Sequence, residues 1–182
     1  MQFPALKKSI AALLLSLLAT AAMAQEAVNF VSLDGKTSLT AYLSRPAGDE
    51  PRPALVLMHG CSGLLGQRGR ILPLYRAWMR ALVVQGYSVL AVDSATPRGF
   101  GQTCSPGPER ATMLRDRPKD AYAALQYLQS KPFVQADRVG LMGWSQGGGV
   151  VLLSINDKSI GRPADLKQPG CSRRDRYRPR TY

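Results

Sequence analysis

The chain has 182 residues, a formal net charge of +12 and 20% charged residues, enough for one domain and not the pattern of a uniformly basic nucleic-acid binder. Seven Arg or Lys crowd residues 162–182 against Asp165 and Asp175, so much of the excess is a tail. The body has no aromatic-basic interleaving and no nucleic-acid motif. One histidine and three cysteines, without a CxxC or a Cys/His cluster, supply no metal-ligand set.

The chain opens with Lys7 and Lys8, an apolar run over residues 10–20, and Ala22-Met23-Ala24. This predicts a signal peptide over residues 1–24, cut before Gln25. The apolar run falls short of the ~20 residues that span a bilayer, and no stop-transfer pattern follows. The expectation is therefore an exported protein, periplasmic or secreted, with no transmembrane anchor after cleavage. In an exported chain three cysteines permit one disulfide and leave one thiol. Cys61 and Cys104 both follow strands and are the candidate pair; Cys171 lies in the tail.

"AVNFVSLDGKTSLTAYLSRP" reads as a hairpin: Val28, Phe30 and Ser32 alternate, Asp34-Gly35 turns, and residues 39–44 return. Residues 54–58 are continuously apolar, as in a strand covered on both faces. A helix follows in "ILPLYRAWMRALVVQG", with Leu74, Trp78 and Leu82 as its apolar stripe and Gly86 as its stop. Residues 87–93 form a second buried strand. A Gly- and Pro-rich loop then runs through "SATPRGFGQTCSPGPER". "RPKDAYAALQYLQS" predicts a helix with Pro118 near its start and Ala121, Leu125 and Leu128 buried. "DRVGLMG" is a third buried strand, and Gln146 opens another helix. Strands alternating with helices imply an α/β fold: a mostly parallel, doubly wound sheet with an antiparallel N-terminal hairpin.

Gly143-Trp144-Ser145-Gln146-Gly147 fits G-x-S-x-G, with the strand before and the helix after that this motif requires. The turn is sharp enough that side chains at positions 143 and 147 would collide with their neighbours, which accounts for both glycines. Ser145 is the candidate nucleophile, and the Gln146 N–H at the helix start is one candidate oxyanion donor. The stretch lacks the Lys-Ser/Thr ending of a phosphate-binding loop. "MHGCSGL" follows the first buried strand, where a second oxyanion donor is expected. Cys61 N–H is the candidate, with small residues around it to admit substrate.

The HGCSG loop, the "VDSATPRGFG" strand and loop, the "RPKDAYAALQYL" helix and the "DRVGLMGWSQGG" elbow together resemble the dienelactone hydrolase family of the α/β-hydrolase fold, over residues 30–153. The resemblance implies hydrolysis of a small-molecule ester or lactone through an acyl-enzyme, without a cofactor. Where the namesake enzymes use cysteine, this chain carries Ser145, as many relatives do. The pattern places His59 and Gly60 in support of the oxyanion loop. Arg98 lies on a loop at the substrate side of the sheet, where it is a candidate partner for a substrate carboxylate or a solvated loop residue.

The family's acid and histidine follow the nucleophile in the chain. Only 35 residues follow Gly147, while each further βαβ unit needs ~30, and none of the 35 is histidine. The expectation is a partial α/β-hydrolase domain over residues 25–161, missing its last strands, with a basic irregular tail over residues 162–182. "GCSRRDRYRPRTY" has no apolar face and is the kind of Arg-rich text an Ala-rich, GC-rich coding stretch yields out of frame. Two other readings stay open: an inactive truncated product, and a basic protein that binds anionic surfaces through its tail.

Overall fold

The computed structural model describes residues 25–156 and 158–163. The expected signal peptide, Cys171 and all but the first residues of the basic tail lie outside them.

The hairpin forms as its alternation requires. Strands β1 (Gln25–Val31) and β2 (Ser38–Ser44) pair antiparallel, with Phe30 opposite Leu39. Asp34 holds the turn by accepting hydrogen bonds from the Lys36 and Thr37 amides and the Thr37 hydroxyl, the local bonding that favours Asp in turns. Gly35 takes φ +76° there.

Strands β3 (Arg52–Met58), β4 (Ser88–Asp93) and β5 (Val134–Gly143) are mutually parallel, and the sheet order is β1-β2-β4-β3-β5. Successive side chains of a strand point to opposite faces, and here they feed two cores. Val56, Met58, Leu90 and Val92 pack with Ala121, Ala124, Leu128 and Val150 on one face. Leu57, Val89 and Ala91 pack with Tyr75, Met79, Leu82 and Val83 on the other. Continuous apolar runs in β3 and β4 are the consequence of that two-sided covering, and each large side chain so buried stabilises the fold by about 1.5–3 kcal/mol.

Three helices do the covering: α1 (Pro73–Val84), α2 (Pro108–Gln129) and α3 (Gln146–Ser154). Helix α1 ends as expected at Gly86, which takes φ +91°. The Gly86 amide bonds the Val83 carbonyl and the Tyr87 amide the Leu82 carbonyl, a Schellman closure.

Three expectations are corrected. The buried stripe of α1 is Tyr75, Met79, Leu82 and Val83, while Leu74 and Trp78 remain 49% and 39% exposed. Almost every position of this helix is apolar, so periodicity alone leaves its rotation open. One polar contact suits the observed rotation: the Tyr75 hydroxyl accepts a hydrogen bond from Gly60 N–H at 2.8 Å. Helix α2 begins at Pro108, so Pro118 lies inside it and the preceding loop ends at residue 107. A proline there forfeits one hydrogen bond, to Leu114. The helix continues because Met113, Asp116, Arg117 and Asp120 on either side are buried. Leu125, expected in the stripe, is only partly buried.

Strand β5 stands at an edge of the sheet formed by the described residues. No described helix is long and apolar enough to cross a membrane.

Candidate active site

Because β3, β4 and β5 run parallel, their C-terminal ends share one rim: Met58 lies opposite both Val92 and Gly143. The loops leaving that rim carry the three segments singled out in the sequence.

The elbow is built as its glycines require. Ser145 has φ +50° and ψ −117°, a conformation that non-glycine residues hold only under strain. A Cβ on Gly143 would sit 2.3 Å from the Gly147 carbonyl oxygen, and one on Gly147 would sit 2.2 Å from Met58 O and 2.6 Å from His59 O. Neither position can carry a side chain. The result is that Ser145 is exposed at the rim while Gln146 behind it is buried. Gln146 is the first residue of α3, so its N–H has no acceptor within the helix and sits at the positive end of the helix dipole.

The loop after β3 meets the elbow from the side. A Cβ on Gly60 would lie 3.6 Å from Ser145 Cβ and 3.4 Å from Trp144 O. The Gly60 N–H is committed to Tyr75, so the next amide, that of Cys61, stays this loop's candidate donor. The Cys61 carbonyl accepts from Thr103 N–H at 2.8 Å, and its sulfur is bonded to Cys104. The loop is thus fixed to the segment that follows β4 by a covalent bond as well as by hydrogen bonds.

His59 is 1% exposed. Its Nδ1 lies 2.6 Å from the Gly60 carbonyl and its Nε2 accepts from Ser94 N–H at 3.2 Å, which makes Nδ1 the protonated nitrogen. Burial, aided by the nearby Arg117 charge, pushes its pKa down to about 3. Both ring nitrogens are engaged in main-chain contacts, so His59 braces the loop after β3 and is not free to act as a base. Asp93, at the end of β4, accepts from the Ala95 and Thr96 amides and holds the following turn.

Arg98 does not await a ligand, and the expectations of a substrate partner and of a solvated loop residue both give way. One terminal nitrogen donates to Ser94 O and Asp120, the other to Asp34 and Asp120, at 2.8–3.1 Å. Its side chain is 7% exposed. Those bonds use every terminal N–H of the guanidinium, tying the hairpin turn to α2. It borders an open cleft of about 610 Å³ shared with Lys36, Thr40, Thr112 and Arg115.

One residue of the site escaped sequence reasoning. Arg117 is fully buried and donates to Gln146 Oε1 at 3.1 Å and to His59 O at 2.6 Å. Burial lowers its pKa to about 10, so it stays cationic at neutral pH. Its signal was a cation one helical turn before Ala121, on the buried stripe of α2. Among the described residues no group of His, Cys, Asp or Glu could hold a metal ion.

Comparison with known proteins fits this geometry. Residues 75–160 match the prolyl oligopeptidase family. The chain is 33% identical over 134 residues to the quorum-quenching protein AidA of Acinetobacter baumannii, covering 73% of this chain. It spans 40% of the length of that curated relative. A putative dipeptidyl aminopeptidase IV from Bacteroides ovatus superposes with a TM-score of 0.55 at 26% identity, over 72% of this chain and 19% of that one. Esterase Est22 superposes with a TM-score of 0.54 at 21% identity, over 74% of this chain and 38% of that one. The chain has the α/β-hydrolase fold, and its structural relatives include esterases and peptidases.

Proposed function

We propose that this chain carries the nucleophile half of an exported serine hydrolase of the dienelactone hydrolase type, acting on a carboxylic ester or lactone. The observation that carries the reading is the exposed Ser145, held at φ +50° on a strand-to-helix turn with the Gly60-Cys61 loop packed beside it. A strained conformation of this kind persists only where the surrounding structure enforces it, and such strain clusters at functional sites.

In this mechanism Ser145 Oγ attacks the ester carbonyl carbon. The carbonyl oxygen becomes an oxyanion that accepts from the Gln146 and Cys61 amides. Collapse expels the alcohol, which takes up the proton that Ser145 gave up, and leaves an acyl-serine. Water then attacks the acyl carbon, releasing the acid and restoring the hydroxyl. The proton acceptor in both halves must be a group other than His59, whose nitrogens are engaged. In triad enzymes that lose a triad member, the oxyanion hole and binding alone provide about 10³–10⁴-fold catalysis over water, so slow acylation is expected from these residues by themselves. Export rests on the leader-like residues 1–24, and the substrate class on the sequence resemblance.

Labelling with a fluorophosphonate, followed by peptide mass spectrometry, tests the reading. Adduct formation at Ser145, lost in Ser145→Ala, is expected. Absence of an adduct from the folded chain at millimolar probe would overturn it in favour of a catalytically silent product.

A further inference from the structure

Beneath the two proposed oxyanion donors lies a single buried cation. Arg117 reaches up from α2 with one terminal nitrogen on His59 O and the other on Gln146 Oε1. His59 O belongs to the loop that leads into Cys61. Gln146 is the residue whose own amide is the other donor. The two donors come from segments about 85 residues apart in sequence that leave the paired strands β3 and β5, and their fine spacing beyond those strands depends on the side chains that support them.

The Gln146 side chain is held from a second side. Thr103 Oγ1 donates to Gln146 Oε1 at 3.2 Å, and Gln146 Nε2 donates to Thr103 O at 3.4 Å. Thr103 N–H in turn bonds Cys61 O at 2.8 Å. The contacts close a ring: Cys61 to Thr103 to Gln146 to Arg117 to His59, and back through Gly60 to Cys61. Both oxygens that Arg117 binds are neutral, and its Nε has no partner. A buried cation without a directly bonded carboxylate is costly to the fold, and an apolar residue of similar length would fill the volume at lower cost.

We propose that Arg117 is a positioning residue that sets the spacing of the Cys61 and Gln146 amides, and so the strength of the oxyanion hole. The proposal rests on the hydrolase reading above. Arg117 itself touches neither substrate nor Ser145. Its work is done by fixing two main-chain donors whose hydrogen bonds matter only when negative charge develops on the substrate oxygen.

The test compares the full chain with Arg117→Met, Arg117→Lys and Gln146→Leu. The last leaves the cation in place and removes one acceptor, so it also serves if the Arg117 variants fail to fold. Acylation of Ser145 is followed by nitrophenolate release from p-nitrophenyl acetate and from its thiono analogue, whose sulfur is a poor acceptor for the oxyanion donors. A loosened hole slows the oxygen ester by about 10–100-fold, part of the ~10²–10³-fold cost of deleting a donor outright, while the thionoester slows far less. Arg117→Lys, which keeps the charge but not the fork, is expected to fall between. Backbone amide exchange over residues 58–63 and 144–150 is expected to rise together in each variant. An unchanged oxygen-to-sulfur rate ratio with unchanged exchange overturns the proposal. If the parent chain acquires no adduct at Ser145, the hydrolase reading fails first. Exchange then decides the clamp alone: coupled loosening of both segments supports it, and independent or absent change refutes it.

Discussion

The Arg98 guanidinium forks onto Asp120, each terminal nitrogen 2.8 Å from a different carboxylate oxygen. Asp120 is fully buried and also accepts from the Ser32 hydroxyl at 2.7 Å, while Arg98 reaches Asp34 in the hairpin turn. One cation therefore joins the hairpin, the loop after β4 and helix α2. Removing it leaves the buried Asp120 carboxylate without its fork and Asp34 without its ion pair. Arg98→Ala should cost about 3–5 kcal/mol in urea unfolding, and Arg98→Lys should recover only part because an ammonium cannot match the fork. A loss under about 1 kcal/mol for Arg98→Ala would show that the cluster adds little.

The strain at Ser145 makes an opposite kind of prediction. Holding a non-glycine residue in sparsely populated backbone space costs of order 1–3 kcal/mol, and glycine is relieved of most of that. Ser145→Gly should therefore raise stability by about 1 kcal/mol while abolishing fluorophosphonate labelling. Gly147→Ala should do the reverse. Its Cβ would meet two carbonyl oxygens at 2.2 and 2.6 Å, and displacing main chain of β3 and its loop should cost about 3 kcal/mol or more. Equal stability of the three proteins in denaturant would mean the elbow is relaxed.

Much of this was legible in the sequence because it rests on local rules. The continuous apolar runs at residues 54–58 and 88–93 announce strands with two covered faces, and Gly143 and Gly147 flank a serine at the spacing a collision-free turn needs. The rotation of α1 was not legible, since apolar and aromatic residues occupy nearly all of its faces and a tertiary contact, Gly60 N–H to the Tyr75 hydroxyl, suits the observed one. Pro118 reads as lying near a helix start because the rule against internal proline weighs one lost bond, whereas the surrounding side chains supply several buried contacts. Arg98 and Arg117 look like any loop and helix arginines in a basic chain. Their partners, Asp34, Asp120, His59 and Gln146, lie 22 to 64 residues away, beyond the reach of pattern.

The Cys61–Cys104 bridge closes a 43-residue separation and anchors the loop that carries a proposed oxyanion donor. Loop-closure arguments give about 2–4 kcal/mol for a bridge of this span. Reduction, or Cys104→Ser, should lower the melting temperature accordingly. It should also slow acylation of Ser145 in the fraction that remains folded, since the loop would then be held by hydrogen bonds alone, among them Thr103 N–H to Cys61 O and Ser94 N–H to His59. Unchanged acylation in the folded, reduced protein would confine the bridge to a role in stability.

His59 gives the fold a defined pH dependence. Its folded pKa of about 3 lies below the ordinary value of 6.5 that the unfolded chain retains, so between these limits the unfolded state binds the extra proton. Stability is therefore full above about pH 6.5 and falls as the pH drops, by up to about 1.4 kcal/mol per unit. Below about pH 4 a second loss should join it. At Asp34, burial raises the pKa but hydrogen bonds from Thr37 and Lys36 outweigh it. At Asp116 the Arg115 bond outweighs burial. Both carboxylates are thus held below their usual range. His59→Asn keeps a donor near the Gly60 carbonyl but cannot titrate. Urea unfolding at pH 4.5, 5.5, 6.5 and 7.5 should show a steep slope for the parent and a nearly flat one for this variant above pH 4.5. Parallel slopes for the two proteins would place the acid sensitivity elsewhere.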